Sequence, residues 1–345
     1  MKFHQPELLL LCLCYLYKPN IMNRVRIKVF ADPVCTWCWG SVPVLRALAY
    51  RFGEQLEIEY VMGGMIEDVL TFNNRRLAIG GDIALTNRNM HKHWVEASAI
   101  HGMPVSDAPN LLFTEERRST VPQNMAYIAA VLYETKHRND TMPDAARRFL
   151  RLLQESTATE RVHTNDVEAI VATAAIVGFK EDKFRSIYES EEVRELYAAN
   201  KSFCNKYDVH AFPSFLLEYR GEEMMIRGFT TYETLCRCIE QLSYEKVAPL
   251  NDGREALNVG NVRQFIEKLG TAYPVEIATA FGLQRINGHS ALNVESYSGL
   301  PDIMDELVRS EEIAMAPKGN GFIFYSIKEG APLSQKRGRS FAGVV

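Results

Sequence analysis

Apolar and basic residues alternate through Val25-Arg26-Ile27-Lys28-Val29-Phe30, a period of two that predicts a strand over 25–31. From Val42 the apolar positions Leu45, Leu48, Ala49 and Phe52 recur at helical spacing, and Gly53 supplies a stop. Leu56-Glu57-Ile58-Glu59-Tyr60-Val61 alternates again. Strand, helix, strand in that order implies two parallel strands joined by a right-handed crossover. Met62-Gly63-Gly64-Met65 interrupts the pattern, and residues 122–205 are then helical almost throughout. One stripe there is Met125, Ile128, Ala129 and Leu132, and a second is Ala145, Phe149, Leu152 and Leu153. Val167, Ile170, Val171 and Ala174 make a third, and Phe184, Ile187 and Tyr188 a fourth. Thr141-Met142-Pro143-Asp144 and Thr164-Asn165-Asp166 read as N-terminal caps and Gly178 as a stop. Sheet patterning returns at Ser214–Tyr219, turns at Arg220-Gly221-Glu222, and runs back through Arg227 before a closing helix over 231–242.

Past a polar stretch over 243–254 that reads as a linker, three more helical faces follow: Val262/Phe265/Ile266/Leu269, Val275/Ala278/Thr279/Phe281 and Ile303/Met304/Leu307/Val308. Ile313-Ala314-Met315 and Phe322-Ile323-Phe324-Tyr325 flank Pro317-Lys318-Gly319-Asn320-Gly321, a hairpin turn. Three helices and a hairpin predict a small winged-helix-like α+β module.

Length adds that 345 residues are too many for one core of this kind. We expect an α/β domain over 22–247 with a helical insertion at about 85–205, an interaction module over 255–330, and a disordered tail over 331–345. Leu8 to Tyr17 is apolar and as long as a signal-peptide core, but no small-residue cleavage site follows, and it is too short to span a bilayer. Residues 1–21 are therefore expected to be an over-extended or disordered start, with the functional chain beginning at Met22. The net charge of -4 gives no reason to expect nucleic acid or an anionic membrane as partner. In the C-terminal module Asp and Glu outnumber Lys and Arg, and its third helix is acidic, so contact with protein is the better reading than contact with DNA. Seven cysteines spread over so long a chain are not a secreted disulfide framework, which points to the cytoplasm.

The candidate chemistry sits between the first strand and the first helix, in Asp32-Pro33-Val34-Cys35-Thr36-Trp37-Cys38-Trp39-Gly40. A helix that starts at Cys35 places unpaired N–H groups and a positive dipole end beside its sulfur, and both stabilise a thiolate. Cys38 lies one turn on, on the same face, where it can resolve a mixed disulfide formed at Cys35. Two other readings compete. Zinc would need two further ligands, and Cys236-Arg237-Cys238 has the wrong spacing, so no metal is expected; no cofactor motif is present either. The pair could also be two structural buried thiols. Asp32 precedes a proline and is open between capping or turn formation and a proton-transfer role at Cys38.

The motif resembles the DsbA-like branch of the thioredoxin superfamily. Pro43, the long helical insertion and Val209-His210-Ala211-Phe212-Pro213-Ser214-Phe215 strengthen the match. Within that branch the chain is most similar to FrnE-type dithiol–disulfide isomerases and SpxH-type ClpXP adaptors. The resemblance implies a cis proline at Pro213 facing Cys35 and Cys38, and a substrate surface formed by Trp37, Trp39, Phe212 and Ser214. It further implies exchange with thiols and disulfides of other proteins as the activity. Phe212 stands where the family more often has a smaller aliphatic residue, which puts substrate access in question. An adaptor that hands a client protein to a protease, with the cysteine pair as sensor, is the alternative. A glutathione-transferase-like isomerase is a third reading, which the intact cysteine pair disfavours.

Overall fold

The structure, a computed structural model, describes residues 23–109, 111–138, 143–160, 162–286 and 288–327. The expectations for residues 1–21 and 331–345 and for the Thr141-Met142 part of one cap lie outside them.

The first sheet is built from β1 (Val25–Ala31), β2 (Leu56–Met62), β3 (Ser214–Tyr219) and β4 (Glu222–Arg227), in the order β2-β1-β3-β4. β1 and β2 run parallel in the register Val25↔Leu56 to Ala31↔Met62, and β3 and β4 are antiparallel to their neighbours. Val25, Ile27 and Val29 are fully buried, as expected for a central strand covered on both faces. The crossover from β1 to β2 is α1 (Thr36–Gly40) followed by α2 (Val42–Phe52). Between β2 and β3 come α3 (Ile83–His101), α4 (Val121–Lys136), α5 (Ala145–Thr159), α6 (Val167–Ile176), α7 (Glu181–Tyr188) and α8 (Glu191–Lys206). The apolar stripes read from the sequence are their inner faces: Ile128, Phe149, Leu153, Ile170 and Phe184 are all buried. Asp166 caps α6 through its side chain, accepting from the amides of Glu168 and Ala169. Asp144 precedes α5 in a left-handed conformation and makes no side-chain cap. α9 (Tyr232–Leu242) closes the domain, capped by the Thr231 hydroxyl.

The remaining elements are α10 (Val259–Leu269), β5 (Thr271–Ala272), α11 (Pro274–Ala280), α12 (Leu300–Arg309), β6 (Ile313–Lys318) and β7 (Gly321–Ser326), with sheet order β5-β7-β6. Three helices and a hairpin stand where the periodicity put them, with a short third strand added. Val308, the last position of the third apolar face, is 42% exposed.

This unit is welded to the first. One apolar cluster runs from β1 through Leu48 and Phe52 of α2 to Phe265, Ile277 and Leu307. Tyr50 meets Phe265 and Phe281 at ring-centroid distances of 5.1 and 5.5 Å. The polar stretch over 243–254 runs along the end of α2, where the amide of Leu250 donates to the Arg51 carbonyl at 2.7 Å. A buried ionic network crosses the join: Glu276 pairs with Arg46 at 3.0 Å and with Arg151 at 3.2 Å, and Glu155 pairs with Arg151 at 3.7 Å and Lys318 at 3.4 Å. The hairpin tip docks on the stretch after α3, with Asn320 exchanging hydrogen bonds of 2.8 and 2.9 Å with the backbone of Val105.

Candidate functional site

β1 ends at Ala31, and the chain turns sharply into α1. The Cys35 amide donates to the Asp32 carbonyl at 3.1 Å, and the Val34 amide donates to Asp32 Oδ1 at 2.8 Å. Cys35 is the N-cap of α1 with extended backbone, so its sulfur stands at the open end of the helix. The helix breaks at Ser41 and restarts with Pro43 in the first turn of α2, which uses proline where it removes no hydrogen bond. Both cysteines are buried and unbridged. The Cys35 thiol donates to the Phe212 carbonyl at 3.3 Å, and the Phe212–Pro213 peptide bond is cis. The two stretches expected to face each other therefore meet through atoms. Burial, and then the neighbouring Cys35 thiol, push the Cys38 thiol well above its ordinary range.

Asp32 is fully buried beside this pair. Besides Val34, its carboxylate accepts from the Met65 amide (2.7 Å), the Thr120 hydroxyl (2.9 Å) and Asn124 Nδ2 (2.9 Å). It makes the turn expected of it and ties β1, the Gly63-Gly64 stretch and the start of α4 together; it does not cap α1. Burial pushes its carboxyl above the usual range, and the four donors pull it back.

A cleft of about 930 Å³ opens beside Cys35, lined among others by Trp37, Met65, Phe72, Trp94, Ile100 and Phe212. Trp37 stands on its rim, half-buried, against Phe229 (5.3 Å) and His101 (5.8 Å). The Phe212 ring reaches across to Gly63, where a Cβ would meet it at 2.0 Å. Two expected substrate contacts are elsewhere. Trp39 is 1% exposed and points to the back of α1, donating to the Pro104 carbonyl at 2.8 Å with the Arg151 guanidinium 4.4 Å over its ring and Tyr273 at its edge. Trp39 thus joins α1 to the C-terminal module, because the helical turn that sends Trp37 to the rim sends Trp39 inward. Ser214 is also buried, its hydroxyl closing its own turn onto the Ala211 carbonyl at 2.9 Å. His101, which sequence reasoning did not single out, lies against α1. Its only local signal was a histidine at a helix end before Gly102-Met103-Pro104. Cys236 and Cys238 sit on α9, the first buried and the second half-exposed; among the described residues no cluster of His, Cys, Asp and Glu fit to hold a metal is present.

A thioredoxin family model matches residues 29–237, which takes in the end of β1, the cysteine pair, the helical insertion and the first half of α9. The chain belongs to the thioredoxin family. Its curated relatives include the ClpXP adapter protein SpxH of Halalkalibacterium halodurans, 21% identical over 273 residues, 77% of this chain and 81% of that one. SpxH of Bacillus subtilis is 21% identical over 267 residues, 75% of this chain and 79% of its own. Both matches cover more than residues 1–237 could supply, so they reach into the C-terminal module. Among solved structures, a candidate protein disulfide isomerase from Nitrosomonas europaea superposes with a TM-score of 0.52 at 18% identity. That match covers 63% of this chain and 97% of the other, and supports the thioredoxin-like, DsbA-like fold. No helix among the described residues is long and apolar enough to cross a membrane.

Proposed function

We propose that this protein exchanges disulfides with cysteines of other proteins, in the cytoplasm, through Cys35 and Cys38. The observation that carries this reading is the Cys35 sulfur at the open end of α1, 3.3 Å from the Phe212 carbonyl and on the wall of an apolar cleft. The Cys35 thiolate attacks one sulfur of a substrate disulfide, forms a mixed disulfide and expels the other sulfur as a thiolate, which takes a proton. Cys38, after losing its proton, attacks the Cys35 sulfur, closes the Cys35–Cys38 disulfide and releases the second substrate thiolate. Two electrons pass from the protein dithiol to the substrate; the reverse sequence oxidises a substrate dithiol. Trp37 and the Phe212-Pro213 loop hold the substrate chain along the cleft, and Asp32, whose charge acts on Cys38, takes the Cys38 proton. The test is a Cys38→Ser variant, which should accumulate mixed disulfides through Cys35; recovery of the variant with no partner attached under oxidative stress sinks the proposal.

A second reading is favoured by the C-terminal module, into which the matches to the SpxH adapters reach. In that reading the protein presents a client to a protease, and the dithiol senses redox state. A double Cys35→Ala/Cys38→Ala variant that keeps its cellular effect would select it.

A further inference from the structure

His101 ends α3 and lies along the five-residue α1. Its Nδ1 accepts the Met103 amide at 3.1 Å, so the ring proton is on Nε2, which donates to the Thr36 hydroxyl at 3.3 Å. The ring edge meets Trp37 at 5.8 Å. It presses on Gly40 so closely that a Cβ there would lie 2.5 Å from its Cγ. One imidazole therefore contacts the first, second and last residues of the helix that carries the cysteines. Burial and the neighbouring His93 hold the imidazole far below its usual range, at about 3, so it serves as a neutral donor.

The imidazole is held from behind. The Ser98 hydroxyl donates to the Met103 carbonyl at 2.8 Å, and the Pro104 carbonyl takes Trp39 Nε1 at the same distance. Val105 is clamped by Asn320 of the hairpin, and Gly319 approaches so closely that a Cβ would meet the Val105 carbonyl at 2.3 Å. The C-terminal hairpin thus fixes the segment from which His101 hangs.

We propose that His101 is a positioning residue for the dithiol: it holds the Thr36 hydroxyl and both ends of α1, and with them the helix start at which the Cys35 sulfur stands, and the C-terminal hairpin holds it in place. The inference rests on the exchange reading above and extends it, by making the redox poise of the pair depend on a side chain about 65 residues away and on the second module. A helix start held in place keeps its unpaired amides at the Cys35 sulfur, which stabilises the thiolate and with it the reduced form.

The test uses the full chain, with two readouts: the ultraviolet titration of the Cys35 thiolate, and the dithiol–disulfide ratio at equilibrium with glutathione. His101→Phe and Thr36→Val should each raise the thiolate titration and shift the ratio toward disulfide by about three- to tenfold, the range a single hydrogen bond commands. Combining them should do no more than the larger alone, since they break one network. His101→Gln keeps an N–H donor and should recover most of the shift. Asn320→Ala should move both readouts the same way by about twofold, as expected of a more distant support. The inference is overturned if Thr36→Val and a folded His101→Phe leave both readouts unchanged, or if their effects add. Should His101→Phe not fold, Thr36→Val and Asn320→Ala decide alone. Both readouts follow the protein's own dithiol, so they stand even if no protein partner is ever trapped.

Discussion

Cys35 and Cys38 share a helix turn but not an environment. Cys35 lines the cleft and touches the Phe212 carbonyl, whereas Cys38 is sealed behind it with its thiol pushed up by burial. Only a thiolate alkylates readily. Brief treatment of the reduced protein with iodoacetamide near neutral pH should therefore label Cys35 at least about tenfold more than Cys38, as read by peptide mass spectrometry; equal labelling would contradict the assignment of roles. Asp32 carries a pH signature of opposite sign to the usual acidic residue. Its folded value is raised, so whatever stability its protonation adds is present below the unfolded value and lost as pH rises through the folded one. Asp32→Asn should destabilise by about 1–3 kcal/mol, because an amide N–H would face donors that now meet oxygen. The gap to the parent should widen as pH falls from about 7 toward about 5, since only the parent gains from protonation. Urea unfolding at the two pH values checks this, and a gap that narrows refutes it. The motif made Cys35 and Cys38 legible at once. The place of Trp39 was not, since two tryptophans two residues apart on a helix take different faces, and only the packing partner decides which one is wet.

At the level of elements, α1 is a short helix stapled on three sides: by the Phe212-Pro213 loop in front, by His101 along its length, and by Arg151 and Tyr273 behind through Trp39. Gly40 is what lets α3 approach. Gly40→Ala should cost about 1–3 kcal/mol, because the added methyl meets ring atoms with nowhere to go. A thermal melt shows this directly, and an unchanged midpoint would mean that α3 does not press on α1 in solution. Glu276 is the other pivot, fully buried between Arg46 and Arg151. Glu276→Ala should destabilise by about 3–5 kcal/mol, by leaving the Arg46 guanidinium inside without its ion-pair partner and Arg151 with only the longer contact to Glu155. Periodicity disclosed the four strands of the first sheet, the four helical stripes of the insertion and the C-terminal hairpin, because each buries one face at its own repeat. It was silent on the ionic network, whose members come from α2, α5, α11 and β6 and look like ordinary surface charges until the fold brings them together.

On the scale of the whole molecule, the thioredoxin core and the C-terminal module share one apolar cluster, and the stretch between them is bonded along α2. Composition suggested a linker over 243–254, since proline, asparagine and glycine mark chain reversal whether or not the reversed chain is free. Calorimetry of the full chain should show a single transition; two well-separated transitions would contradict a common core. The same join puts the C-terminal module one layer of side chains, that of Trp39, from the dithiol helix, which suits either an exchange enzyme or an adaptor that reads redox state. The central claim is that Cys35 and Cys38 form a reversible two-electron couple. It is tested most directly by equilibrating the protein across glutathione buffers and counting disulfides by mass. A single transition to a Cys35–Cys38 disulfide, with a potential between about −270 and about −120 mV, is the predicted result. Thiols that stay separate across that whole range would contradict it.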